Sequence, residues 1–87
     1  MKKIYIYLLF VIGISPIYSQ TTLTQANEAY GQEDYIKAIE LYEQTLREQG
    51  VSSDLYYNLG NAYYKHNEFA KAILNYERAL LLNPGNE

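Results

Sequence analysis

The sequence predicts an all-α chain, a short α-solenoid of two helix–turn–helix units behind an N-terminal signal segment. Three observations carry this. The chain overlays itself at a shift of 34 residues, with Asn27 on Asn61, Tyr30 on Tyr64, Lys37-Ala38-Ile39 on Lys71-Ala72-Ile73, Tyr42-Glu43 on Tyr76-Glu77 and Leu46 on Leu80. A fixed period of that length marks a helical repeat array. Within the units, apolar residues recur at spacings of three and four, the stripe of an amphipathic helix. The chain breakers fall between the stripes, at Gly31, Gly50, His66-Asn67 and Asn83-Pro84-Gly85.

The first element is an address. Met1-Lys2-Lys3 is a positive start, Ile4 to Ile14 is an almost unbroken apolar run, and Ser15-Pro16 ends it. That order matches a secretory signal peptide over residues 1–19, with cleavage after Ser19, although Ile17 fits poorly where a small residue is usual. A membrane-spanning helix needs about 20 apolar residues, and Pro16 comes too early. The alternative is an anchor that stays uncleaved. Removing residues 1–19 takes Lys2 and Lys3 and no acid, so the net charge moves from −3 to −5.

The first unit, residues 20–52, has Thr22 and Gln25 placed for a capping box, a turn from Gly31 to Asp34, and a helix from Tyr35 to Arg47 that ends by Gly50. The second unit, residues 53–86, places Ser52 and Ser53 as N-caps. Its first helix carries the stripe Leu55, Leu59, Ala62 and Tyr63. Its second carries Phe69, Ala72, Ile73, Tyr76, Ala79 and Leu80, and Asn83-Pro84-Gly85 stops it because proline cannot continue a helix. Ala38 and Ala72 are expected where the helices of a unit cross, with Gly60 on the facing helix and Tyr42 and Tyr76 filling the wedge beyond.

Composition narrows the function. Cysteine is absent and histidine occurs once, which excludes a disulfide framework, a thiolate or His-based metal site and a cysteine nucleophile. No basic block exists to hold a nucleic-acid backbone. His66 reads as an exposed turn residue rather than a ligand. Acid pairs such as Glu33-Asp34 and Glu40 with Glu43 read as a solvated helix face, because a catalytic carboxylate pair needs an enclosing pocket to shift one pKa. Ser52 and Ser53 have no base in the pattern. An enzyme is the weakest reading, and no cofactor is expected.

The order Tyr56, Leu59-Gly60, Tyr63, Ala72, Tyr76, Ala79, Pro84 gives the second unit its family likeness: it resembles a near-consensus tetratricopeptide repeat. The first unit departs in its first half, where Thr22, Gln25, Ala26 and Ala29 stand at the signature positions, and matches in its second through Ala38 and Tyr42. A narrower likeness comes from an exported N-terminus followed by Ala26-Asn27-Glu28-Ala29-Tyr30, by residues 55–65 and by residues 71–80. Together these resemble the tetratricopeptide proteins of the bacterial aerotolerance (Bat) operon. That likeness implies a cell-envelope complex, in the periplasm or envelope of a bacterium. The membrane-spanning helices that follow the repeats in that family have no counterpart in this sequence.

The resemblance also implies where binding occurs, because the first helix of each tetratricopeptide unit lines a concave groove. The residues on that face are Asn27, Tyr30, Asp54, Tyr57, Asn58, Asn61, Tyr64 and Lys65. Asparagine offers a donor and an acceptor to an extended peptide, and tyrosine an apolar face with a polar tip. Asn27 and Asn58 coincide with asparagines that clamp a peptide carboxylate in some family members, but Leu23 replaces one of that clamp's basic residues. The simpler reading, that both asparagines are repeat residues at a helix surface, stays open. Tyr35, Tyr42, Tyr56, Tyr63 and Tyr76 are assigned to packing.

Repeat arrays are normally stable from about three units upward, and this sequence holds two. Leu80-Leu81-Leu82 cannot all face inward, since successive helical residues are about 100° apart. Exposed apolar surface on the last helix is therefore expected. A further part of a longer protein, a second copy or a partner protein are the candidates to cover it. The partner expected overall is a protein or peptide, with membrane contact only through an uncleaved N-terminus or a missing C-terminal part.

Overall fold

A computed structural model describes residues 21–85. The expected signal segment, residues 1–19, lies outside them. Four helices follow one another: α1 (Thr22–Gly31), α2 (Tyr35–Gln49), α3 (Ser53–Lys65) and α4 (Phe69–Leu82). Connections of three residues make each helix antiparallel to its predecessor, and each packs on the one before it. The described residues are all-α, with two equivalent helical hairpins.

Both hairpin turns have the same construction. Glu33 and Asn67, 34 residues apart, each take a positive φ of 63°. Around them Glu33 N–H bonds to the Tyr30 carbonyl and Asp34 N–H to the Ala29 carbonyl; Asn67 to Tyr64 and Glu68 to Tyr63 repeat the pattern. This is a Schellman closure, which satisfies carbonyls that a helix C-terminus would otherwise leave free. Asp34 then caps α2, accepting from Lys37 N–H at 3.3 Å. Between the hairpins the chain passes through Gly50, whose φ of 89° favours a residue without a Cβ.

Ser52 is the cap of α3, its hydroxyl accepting from Leu55 N–H at 3.0 Å. Ser53 is not a cap: its hydroxyl donates across the hairpin to the Ala79 carbonyl at 3.0 Å. The expected capping box at Thr22 is not seen, because the helix starts one residue earlier. Thr21 is the N-cap of α1, accepting from Thr24 N–H at 3.1 Å, which leaves Thr22 free to donate to Glu48 Oε1 on α2 at 2.7 Å. The Thr22 hydroxyl, with Gln44 beside it, holds the Glu48 carboxyl below its usual range.

The core runs along the seam of α1, α2 and α3 and reaches α4 at Ala72. Ala26, Ala29, Ala38, Ile39, Tyr42, Leu55, Leu59, Ala62, Tyr63 and Ala72 are buried in one cluster. The α3 stripe is as expected. At the crossing of α3 and α4, a Cβ built on Gly60 would sit 2.7 Å from the Tyr76 ring and 3.2 Å from the Ala72 carbonyl oxygen, so only glycine permits this approach.

The α4 stripe needs correction. Ala72 and Ala79 are buried, but Phe69, Ile73 and Leu80 are about half exposed. No further described helix packs on α4 to cover them. The inner face instead includes Asn75, only 3% exposed.

Candidate functional site

A shallow groove of about 260 Å³ lies on the α1–α3 side, lined by Asn27, Tyr30, Tyr42, Asn58 and Asn61. Two equivalent hydrogen bonds set its chemistry. Tyr42 donates its hydroxyl to Asn27 Oδ1 at 2.6 Å, and Tyr76 donates to Asn61 Oδ1 at 2.5 Å. Each bond fixes an asparagine on the first helix of a unit by a tyrosine on the second. With its oxygen engaged, each amide keeps its NH₂ group as the remaining donor. Asn58, half buried between them, bonds to no other described residue and keeps both donor and acceptor for a ligand.

Burial, and after it the nearby Tyr30 hydroxyl, pushes the Tyr42 phenol above its ordinary pKa. Burial raises Tyr76 too, followed by the hydroxyls of Tyr57, Tyr30 and Tyr64. The phenols therefore stay protonated at neutral pH and act as donors to the asparagines.

A larger groove of about 670 Å³ opens between α3 and the far end of α4, lined by Ser53, Asp54, Tyr57, Tyr76, Ala79, Leu80 and Asn83. Tyr57 leans on Tyr76 there, ring centroids 5.6 Å apart. The structure thus divides the sequence-selected residues. Asn27, Tyr30, Asn58 and Asn61 share the first groove, whereas Asp54 and Tyr57 line the second. Tyr64 packs edge-on against Phe69 at 5.3 Å, as Tyr30 does against Tyr35 at 5.4 Å. Both pairs clip the hairpin turn, and Tyr64 remains more than half exposed. Lys65, exposed in the last turn of α3, lines neither groove.

Sequence reasoning assigned Tyr42 and Tyr76 to packing alone and missed their hydrogen bonds. The signal was present: an asparagine and a tyrosine fifteen residues apart occur in both units at the same register. His66 is exposed in its turn and pairs with Glu68 at 2.8 Å. That contact, with Lys71 next, holds the Glu68 carboxyl below its usual range. No helix among the described residues is long and apolar enough to cross a membrane.

Residues 53–86 match the model of the tetratricopeptide repeat family. No curated protein matches the chain. The matched segment contains α3 and α4, and α1 with α2 forms the same kind of hairpin. Repeats of this family mediate protein–protein interaction and are a non-catalytic fold.

Proposed function

We propose that this tetratricopeptide hairpin pair is an exported scaffold that binds an extended segment of a partner protein along the α1–α3 groove. The observation that carries the reading is the pair of Tyr–Asn hydrogen bonds, which orient two amides at either side of the uncommitted Asn58. An extended peptide offers alternating backbone donors and acceptors, and preoriented amides meet them with little loss of side-chain freedom. Tyr30 adds an apolar wall. Export rests on the charged start and apolar run of residues 1–19, and the cell envelope of a bacterium follows from the same segment and the likeness to aerotolerance-operon proteins.

A second reading keeps the apolar run of Ile4 to Ile14 in place as a membrane tether for an assembly subunit. Intact mass of the protein recovered from cells separates the two: loss of residues 1–19 supports the exported scaffold, and their retention supports the tether. A third treats the chain as part of a longer tetratricopeptide protein, and the mass of the product of the native gene decides it.

The groove is tested by selecting binders from a displayed library of random 12-residue peptides on the full chain. Asn58 makes no internal bond, so Asn58→Ala keeps the fold and should weaken the selected peptides at least tenfold. Selected peptides that bind Asn58→Ala and Asn61→Ala as tightly as the parent would overturn the proposal.

A further inference from the structure

The α1–α3 groove holds an unbalanced set of hydrogen-bonding groups. Its lining residues, Asn27, Tyr30, Tyr42, Asn58 and Asn61, carry no formal charge at neutral pH. The hydroxyls of Tyr42 and Tyr76 already engage the amide oxygens of Asn27 and Asn61. What those two side chains retain is chiefly donor capacity, two N–H each. Asn58 adds two more donors and the one uncommitted amide oxygen of the lining. The Tyr30 phenol carries a further donor. Burial first, and neighbouring phenols after it, hold Tyr42 and Tyr76 above their ordinary pKa, so neither becomes an anionic acceptor at neutral pH.

That inventory selects a ligand. A peptide of ordinary sequence brings one N–H for every carbonyl, and an N–H docked against donors loses its water without gaining a partner. Charged ligands fit badly as well, since the lining offers no cation to a carboxylate or phosphate and no carboxylate to an ammonium or guanidinium. Proline is the residue that presents a carbonyl and no N–H. Proline-rich segments are held extended as polyproline II before they bind, and aromatic side chains form the grooves that receive them. Tyr30 supplies such a ring in the groove. Tyr57 and Tyr64, both more than half exposed, lie close enough to act on the Tyr76 hydroxyl. A second copy of this chain brings no such segment, because proline occurs only at Pro16 and Pro84.

We infer that the α1–α3 groove takes a proline-rich segment of a partner protein in the polyproline II conformation. The carbonyls of the segment accept from the amide N–H groups of Asn27, Asn58 and Asn61, and its pyrrolidine rings lie against Tyr30. Each Tyr–Asn bond thereby acts as a filter: by engaging the amide oxygen it leaves the asparagine to serve mainly as a donor. The inference rests on the groove proposed above and narrows its ligand from any extended segment to one class.

The probe is decaproline, labelled with fluorescein at its N-terminus and amidated at its C-terminus, titrated into the full chain and read by anisotropy. Saturable binding below about 1 mM is expected, at least tenfold tighter than that of a ten-residue peptide of alternating glycine and serine. Asn27→Asp and Asn61→Asp keep an oxygen for the tyrosine hydroxyl and exchange the NH₂ donor for a second acceptor. Each should weaken decaproline at least tenfold while circular dichroism retains the helix content of the parent. Asp54→Asn, in the second groove, should leave the affinity unchanged. The inference is overturned if decaproline does not bind, if both asparagine substitutions bind it as the parent does, if Asp54→Asn weakens it as much as they do, or if only decaproline with a free C-terminal carboxylate binds. The random-peptide selection separates this inference from the groove itself. Selected peptides that depend on Asn58 but are no richer in proline than the library, with decaproline inert, would leave the groove standing and remove the proline ligand.

Discussion

Asn75→Leu should make the protein more stable. Asn75 is 3% exposed on the inner face of α4. Its Nδ2 donates to the Lys71 carbonyl at 2.8 Å, one turn back in the same helix, and its Oδ1 is buried with no partner among the described residues. A buried acceptor left unpaired costs about 1–3 kcal/mol, and the retained bond returns about 0.5–1.5 kcal/mol. Leucine has the same number of side-chain heavy atoms branching at the same carbon, and burying it contributes about 1.5–3 kcal/mol. The corresponding residue of α2 is Leu41, packed against the core. Allowing for the lost bond, the net gain is about 1–5 kcal/mol. In a domain of this size each kcal/mol moves the midpoint by roughly 4–8 °C. Urea unfolding followed by circular dichroism reads the change as a higher midpoint at unchanged slope. Asn75→Asp, which buries a charge in the same shape, should lose about 2 kcal/mol or more. A midpoint for Asn75→Leu equal to or below the parent's would refute the reasoning.

Three further outcomes are open to measurement. Gly60→Ala places a methyl group 2.7 Å from the Tyr76 ring; overpacking of about 1–3 kcal/mol against a helix-propensity gain of about 1 kcal/mol leaves a net loss of up to about 2 kcal/mol by thermal unfolding. Glu33→Gly relieves a positive φ of 63° and should gain about 1 kcal/mol, while the same change at Asn67, a residue that tolerates this region, should gain less. Burial, then the hydrogen bond to Glu43, pushes the Tyr63 phenol up to about 12. The protonated form is favoured in the folded state, so this contribution is intact below pH 10 and is lost as pH rises from about 10 to 12. Tyr63→Phe should flatten that loss in urea midpoints taken across the range.

How much of this was legible in the sequence depends on whether a feature is local or needs a neighbour. The 34-residue period, the α3 stripe and the turn at Asn67 follow from the order of residues along one segment. The caps were legible to within a residue, because Thr21 and Thr22 offer the same hydroxyl and only the backbone decides between them. Asn75 reads as a surface residue from its type, and its burial is set by the approach of α3. Phe69, Ile73 and Leu80 read as core because their periodicity matches that of Tyr35, Ile39 and Leu46. Periodicity reports which face a residue is on, not whether another helix covers it. For the candidate site, Asn27, Asn58 and Asn61 were placed by the repeat register. Their division from Asp54 and Tyr57 depends on how α4 opens a second groove beside α3.

The most direct test of a hairpin pair with one covered and one open face is the cost of the same truncation on both. Ile39→Ala and Ile73→Ala remove identical atoms from equivalent positions, 8% and 56% exposed. Measured by urea unfolding, Ile39→Ala should cost about 2–4 kcal/mol and Ile73→Ala within about 0.5 kcal/mol of zero. Equal, large costs at both positions would contradict the account, because Ile73 would then already be covered.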